Sequence, residues 1–218
     1  LTFLVAELGP TWMGDYKLLY NMMQDCKDAG VDAVKLQAFL YEDLNSRHWR
    51  IAGTVTRMNV EIIDDIAKQV GIEWFCMPTY EGAVDFLNPY MKRWKIRYRD
   101  RNKIELMSAM LDTKKPIYIS TNKPEYFGDD VHPLYCINKY PTPTNEVNID
   151  EMRKYYGYSC HTVNEAHLEK VIKEVKPKYL ELHITPDIND PMVVDNIVSY
   201  DLNVLKLLVS KIRKWEQE

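Results

Sequence analysis

The sequence predicts an α/β protein, a (β/α)8 TIM barrel forming one compact domain over residues 1–218. Short apolar, β-prone runs alternate with amphipathic stretches along the whole chain, the pattern of parallel strands joined by right-handed crossovers. The runs number eight, the count that closes a parallel barrel. No Gly-x-Gly-x-x-Gly turn follows the first run, which argues against the competing open doubly wound sheet.

Thr2–Ala6 is the first β-prone run; Leu18, Leu19, Met22, Met23 and Cys26 then recur at helical spacing until Ala29-Gly30. Ala33–Gln37 is the second strand. Val60, Ile63, Ile66, Ala67 and Val70 form the next helical stripe, closed by Gly71. Glu73–Met77 follows as a strand, with a helix over Ala83–Leu87. Trp94–Ile96 is a short fourth strand, and Ile104–Leu111 a short helix. Pro116–Ser120 and Pro133–Ile137 are strands five and six. Met152–Tyr155 suits a helix and Tyr158–His161 strand seven. Leu168, Val171, Ile172 and Val175 mark a helix, Tyr179–His183 the eighth strand, and Leu202–Trp215 a closing helix. Phe39–Met58 and Thr185–Asp201 break the rhythm. Both follow strands, so they are expected as long loops at the catalytic face.

Hydrophobic residues make up 46% of the 218, enough for a sizeable core, and 28% are charged. The net charge of -4, with no dense Lys/Arg run, argues against a nucleic-acid partner. No apolar stretch approaches the roughly 20 residues that span a bilayer, and no leader pattern precedes the first strand, so a cytoplasmic protein without membrane contact is expected. Cys26, Cys76, Cys136 and Cys160 are widely separated and read as buried free thiols; Cys160, beside His161, is the one placed to approach a bound metal.

Every predicted strand ends in a polar or charged residue: Glu7, Lys35 with Gln37, Thr79, Lys95, Ser120, Asn138, Ser159 with His161, and His183. On a barrel these converge on one pocket at the C-terminal rim. His161 and His183, on successive strands, can share a divalent metal that polarises a carbonyl oxygen. Lys35 and Lys95, with Thr79, Ser120, Asn138 and Ser159 as compact hydrogen-bonding partners, can cradle a phosphate or carboxylate. Glu7 can orient or deprotonate a water. A single histidine or strand-end lysine is more often structural or solvated. Lys35 and Gln37, however, share one face of an apolar strand, where a charge is costly without a ligand. His48, His132 and His167 lack such a setting.

The ordered motifs resemble the sialic acid synthase (N-acetylneuraminate synthase) family over nearly the whole chain. Ala6-Glu7-Leu8-Gly9 is similar to its Ala-Glu-Ile-Gly, and Ala29 through Gln37 to its Ala-Gly-Ala-Asp-Ala-Val-Lys-Phe-Gln. Asp85-Phe86-Leu87, Lys95-Ile96 and Ile119-Ser120-Thr121 follow in order. Cys136 through Pro143 resembles Cys-x-x-x-Tyr-Pro, Gly157 through Thr162 resembles Gly-x-Ser-Asp-His-Thr, and Glu181-Leu182-His183 resembles Glu-Lys-His. The resemblance implies a phosphoenolpyruvate-dependent sugar acid synthase using Mn2+. His161 and His183 would be the metal ligands, and Lys35, Thr79, Lys95, Ser120, Asn138 and Ser159 would surround phosphoenolpyruvate. Glu7, Gln37, Tyr140 and Asp195 would face an aldehyde acceptor, an aldose or N-acylated amino sugar. The enol carbon would attack the aldehyde, water would add, and phosphate would leave. A homodimer is among the assemblies this allows.

Four segments depart from the family. Asn-His-Asn-Gly is here Thr11-Trp12-Met13-Gly14, and Lys-Ile-Gly-Ser-Gly-Glu is Lys95-Ile96-Arg97-Tyr98-Arg99-Asp100, where Asp100 is expected to replace the glutamate and Arg97 or Arg99 to bind an anion. Ser-Thr-Gly is Ser120-Thr121-Asn122, and Cys160 replaces an aspartate. The family's C-terminal antifreeze-like domain is not in this sequence. Two other readings therefore stay open. One is a non-catalytic metal- or anion-binding barrel with a regulatory or scaffold role; the other is a Schiff-base aldolase using Lys35 or Lys95.

Overall fold

The computed structural model describes residues 1–40, 51–125, 128–190, 193 and 195–218. Eight parallel strands run β1 (Phe3–Glu7), β2 (Ala33–Ala38), β3 (Glu73–Pro78), β4 (Trp94–Ile96), β5 (Ile117–Thr121), β6 (Val131–Tyr135), β7 (Gly157–Cys160) and β8 (Tyr179–Thr185), each paired with its successor. β1 also pairs with β8, from Phe3 opposite Tyr179 to Glu7 opposite His183, and this closes the barrel. The weakest seam joins β3 to β4, where Cys76 opposite Trp94 is the single register pair.

The helices α1 (Tyr16–Ala29), α2 (Val60–Val70), α3 (Glu81–Leu87), α4 (Ile104–Asp112), α5 (Ile149–Met152), α6 (Glu165–Glu174) and α7 (Leu202–Trp215) cover the outside. Each turns an apolar stripe inward. α1 buries Leu19, Met22, Met23 and Cys26, and Asp15 caps its start by accepting from the Lys17 and Leu18 amides. Full burial of such side chains contributes roughly 1.5–3 kcal/mol each. α7 closes the ring against β1: Arg213 donates to the Thr2 carbonyl and pairs with Asp32 at 2.7 Å, while Asp32 accepts from the Leu4 amide.

Three sequence expectations change. The helix expected over Met152–Tyr155 spans Ile149–Met152 instead, where Asn148 caps its start by accepting from the Glu151 amide. Thr185–Asp201 is not wholly loop: a 3-10 turn (Asn196–Val198) leads into β9 (Ser199–Asp201), which pairs with the end of β8 from His183 opposite Ser199. Three residues are too few for an alternation signal, so this strand is legible only from its partner. The sixth strand begins two residues early, at Val131, because Val131 pairs with Ile117 in the ladder. His48, like much of the Phe39–Met58 segment, lies outside the described residues. Among the described residues no helix is long and apolar enough to cross a membrane.

Inside the barrel, the lower layer is aromatic. Tyr118 stacks on Tyr179 with ring centroids 4.6 Å apart, Phe3 lies 6.1 Å from Tyr179, and His132 stacks on Tyr156 at 4.4 Å. His132 therefore packs at the end away from the strand C-termini. Level with this layer, opposite Tyr179, Gly157 allows β7 to approach β8: a Cβ there would meet the Tyr179 carbonyl oxygen at 2.2 Å. That obstacle is backbone and cannot rotate away. Gly157→Ala is therefore expected to destabilise the protein by about 1–3 kcal/mol or more, read as a lower urea midpoint; a midpoint equal to wild type would refute the close approach.

Candidate functional site

Along a strand, side chains alternate faces, so residues two apart share one face. Tyr179, Glu181 and His183 on β8 therefore all point into the barrel, as do Glu7 on β1, Lys35 and Gln37 on β2, Lys95 on β4, Ser120 on β5 and Ser159 on β7. All of these but Tyr179 line a cavity of about 630 Å³ at the C-terminal rim. Such a volume suits a pair of small substrates.

Glu181 is the centre of the floor. Its Oε1 accepts from Lys35 Nζ at 2.8 Å and Ser159 Oγ at 3.2 Å, and lies 3.5 Å from Lys95 Nζ. Its Oε2 accepts from the Tyr179 hydroxyl at 2.8 Å, which ties this layer to the aromatic one beneath. Lys95 Nζ also donates to Ser120 Oγ at 2.7 Å. Glu7 Oε2 forms an ion pair with Lys35 Nζ at 2.9 Å and, although buried, has no hydrogen-bond partner among the described residues; Oε1 accepts from Gln37 Nε2 at 2.6 Å. Gly9 follows in a left-handed turn with φ +50°, and a Cβ there would sit 2.8 Å from Glu7 Oε1. A side chain at this position would both strain the turn and push Glu7 out of place.

These charges are almost fully buried. Burial by itself would raise Glu181, but the Lys35 and Lys95 ammonium groups overcome it and hold the carboxyl well below the usual range. Burial pulls Lys35 down to about 7; Glu181 opposes that pull and Lys95 adds to it. Glu7, as close as Glu181, is a second carboxylate favouring the charged ammonium.

His161 and His183 stand beside this network, ring centroids 5.3 Å apart and edge-on. Burial pulls His161 down to about 4, and burial with the neighbouring His161 pulls His183 well below its usual value. Both are neutral at neutral pH, the form that ligates metal. His161 Nδ1 lies 3.1 Å from the Ile137 carbonyl, which can only accept, so Nδ1 carries the proton and Nε2 the lone pair. The Tyr140 hydroxyl, 2.9 Å away, donates to that lone pair. A carbonyl that fixes a ligand's tautomer is the usual outer support of a metal-binding histidine. The pair thus fits a divalent cation, with Tyr140 displaced from Nε2. Among the described residues no cluster of three His, Cys, Asp or Glu side chains completes a ligand set, so water or substrate oxygens would supply the remaining positions.

Of the residues singled out in the sequence, Glu7, Lys35, Gln37, Lys95, Ser120, Asn138, Tyr140, Ser159, His161, His183 and Asp195 line the cavity. Thr79 does not. Its hydroxyl accepts from the Leu40 amide at 3.1 Å and its carbonyl from Lys103 Nζ at 2.7 Å, so it anchors loops, and Met77 faces the cavity from β3 instead. Cys160 also turns away: it packs in the core and its Sγ donates to the Thr162 carbonyl at 3.3 Å. The thiol that reaches the cavity is Cys136, 3.9 Å from His161 Nδ1; burial pushes it up to about 11, so it stays a thiol at neutral pH. Asp100 is buried in pairs with Arg97 and Lys103. Glu181, the most connected group in the site, was absent from the rim residues singled out in the sequence. Its signal was the face it shares with His183, two residues on.

Comparison with known proteins bears on the family and the fold. Residues 22–218 match the NeuB family. The N,N'-diacetyllegionaminic acid synthase of Legionella pneumophila is 26% identical over 98% of this chain and 72% of its own length. The human N-acetylneuraminate-9-phosphate synthase is 26% identical over 85% of this chain and 62% of its own length. In three dimensions the N-acetylneuraminic acid (sialic acid) synthetase of Leptospira borgpetersenii, crystallised with citrate, matches 99% of this chain and 84% of its own with a TM-score of 0.84, at 18% identity. A likeness at that identity establishes the shared barrel. The match over most of the chain establishes more: this protein belongs to the NeuB family.

Proposed function

We propose that this protein condenses phosphoenolpyruvate with an aldose or N-acylated amino sugar, giving a sialic-acid-like 2-keto sugar acid and phosphate. The observation that carries the reading is the meeting, in one cavity, of a neutral imidazole pair with the Lys35–Glu181–Lys95 network. Family membership and the names of the relatives support the reaction class.

His161 and His183 would hold a divalent metal, most economically Mn2+, which when bound supplies Lewis-acid polarisation of the aldehyde oxygen. Lys35 and Lys95, with Ser120, Asn138 and Ser159, bind phosphoenolpyruvate. Glu181 fixes where the two ammonium groups point, and so orients the enol carbon before attack. Gln37, Tyr140 and Asp195 face the acceptor sugar. Glu7 keeps Oε2 without a hydrogen bond, so it can accept one from a water poised to add at the substrate carbon bearing the phosphate. Attack of the enol carbon makes the new carbon–carbon bond; water addition and loss of phosphate leave the ketone. A dry, preorganised floor makes each of these contacts stronger than in bulk water.

A second reading, a barrel that binds a metal or an anion without condensing anything, is favoured by one contact: the Tyr140 hydroxyl holds the nitrogen that a metal would need. Steady phosphate release separates the two readings.

Purified protein given phosphoenolpyruvate, Mn2+ and a panel of aldoses is expected to release phosphate only when aldehyde and metal are both present. His161→Ala and Lys35→Ala should lower that rate roughly 10²-fold or more; no turnover with any aldose would sink the condensation reading. Tyr140→Phe, which frees His161 Nε2, should tighten Mn2+ or Co2+ binding by about 2- to 10-fold in calorimetry, and unchanged or weaker binding would show that the phenol does not compete. Lys35→Met would strand Glu7 and Glu181 in the core at a cost of about 3–5 kcal/mol near pH 7. In the wild type, the depressed Glu181 contributes stability above the ordinary carboxylate pKa and loses it as pH falls through the folded value. In Lys35→Met burial raises at least one carboxyl, so stability should instead fall as pH rises from about 5 to 8. Urea melts at both pH values check the sign, and equal penalties at the two would contradict it.

A further inference from the structure

The interior charges of the cavity cancel in pairs. Lys35 faces Glu7 and Glu181, and Lys95 faces Glu181. A phosphate ester carries nearly two negative charges at neutral pH, so this balanced floor offers it hydrogen bonds but little net attraction. Apart from a divalent cation held by His161 and His183, the compensating charge has to come from elsewhere in the lining.

β4 ends at Ile96, and the chain turns through Arg97 into a 3-10 turn over Tyr98–Asp100; Arg97, Tyr98 and Arg99 all line the cavity. Arg97 is committed: its guanidinium pairs with Asp100 and lies 5.5 Å over the Phe39 ring. Arg101, further on, donates to the Tyr98 carbonyl and lies 4.0 Å over the Tyr98 ring. Arg99 differs from both. It is exposed, it lines the cavity, and among the described residues it alone of the lining cations has no carboxylate partner. Its charge acts on the Tyr140 hydroxyl, so it is felt on the side of the cavity where His161 stands. Asp190 and Asp195 line the cavity from the segment after β8. The mouth is therefore polarised, cationic on the β4 side and acidic on the β8 side.

We propose that Arg99 is a specificity-determining residue that binds a phosphoryl oxyanion of a substrate at the mouth of the cavity. The inference rests on the condensation reading for the identity of the substrates, but not for the existence of the anion site. A planar guanidinium presents two parallel donors to a phosphate, and among the described residues no carboxylate pairs with this one. The phosphate has two sources, phosphoenolpyruvate itself or an acceptor sugar phosphorylated at the end far from its aldehyde.

The test starts with inorganic phosphate alone, titrated calorimetrically into the full chain at low ionic strength. Arg99→Gln should weaken phosphate binding about tenfold or more, the scale of a charge-assisted contact. Arg99→Lys should restore part of the affinity. Arg101→Gln, which alters the same segment outside the cavity lining, should leave it unchanged. In turnover, a raised KM for phosphoenolpyruvate in Arg99→Gln assigns the oxyanion to that substrate, and a raised KM for the acceptor assigns it to a phosphorylated sugar. Wild-type protein that binds phosphate through Arg99 yet condenses nothing leaves the anion site standing and removes only the condensation reading. Equal phosphate affinity in wild type and Arg99→Gln, no phosphate binding by the wild type, or unchanged KM for both substrates overturns the proposal.

Discussion

Glu181 joins more of the barrel than any other polar side chain. It gathers Lys35 from β2, Lys95 from β4, Ser159 from the adjacent β7 and Tyr179 from its own strand; the two lysine contacts cross the interior where the sheet has closed. A buried carboxylate or ammonium alone would be costly by several kcal/mol. Each is tolerated here because the others are present, and none can be moved without stranding another. This mutual dependence fixes the height of the polar floor: aromatic packing lies below it, and substrate-sized space above.

That floor also sets the state of the histidines. The burial that keeps the ion pairs dry also keeps His161 and His183 neutral. A polar, solvated rim would leave part of the imidazole population protonated near neutral pH and unable to ligate. The Ile137 carbonyl then chooses the tautomer, and Tyr140 holds the free nitrogen. The cavity has an apolar and aromatic base, a neutralised ionic floor, an imidazole wall and a polarised mouth.

Much of this was legible in the residue order. Alternation of β-prone runs with apolar stripes gave eight strands within a residue or two of their observed ends, since periodicity is a local property of the chain. Lys35 and Gln37 were legible because a charge in an apolar strand is an anomaly. Thr79 was misplaced because its position past a strand end says nothing about whether its hydroxyl turns to the cavity or to the Leu40 amide. Cys160 and Cys136 exchanged places for a related reason. β7 ends at Cys160 with its side chain on the outer face, while Cys136 follows β6 on the inner one.

The chain order by itself determined the fold class, the eight strands of the barrel, and most of the polar residues arriving at one rim, because these follow from hydrophobic period and from which residues end each run. Which charges neutralise one another, which imidazole nitrogen carries the lone pair, and which lining arginine has no carboxylate partner among the described residues were decided only by barrel closure. Those properties belong to pairs such as Lys35 with Glu181, 146 residues apart in sequence, and no local pattern records a distance across the interior.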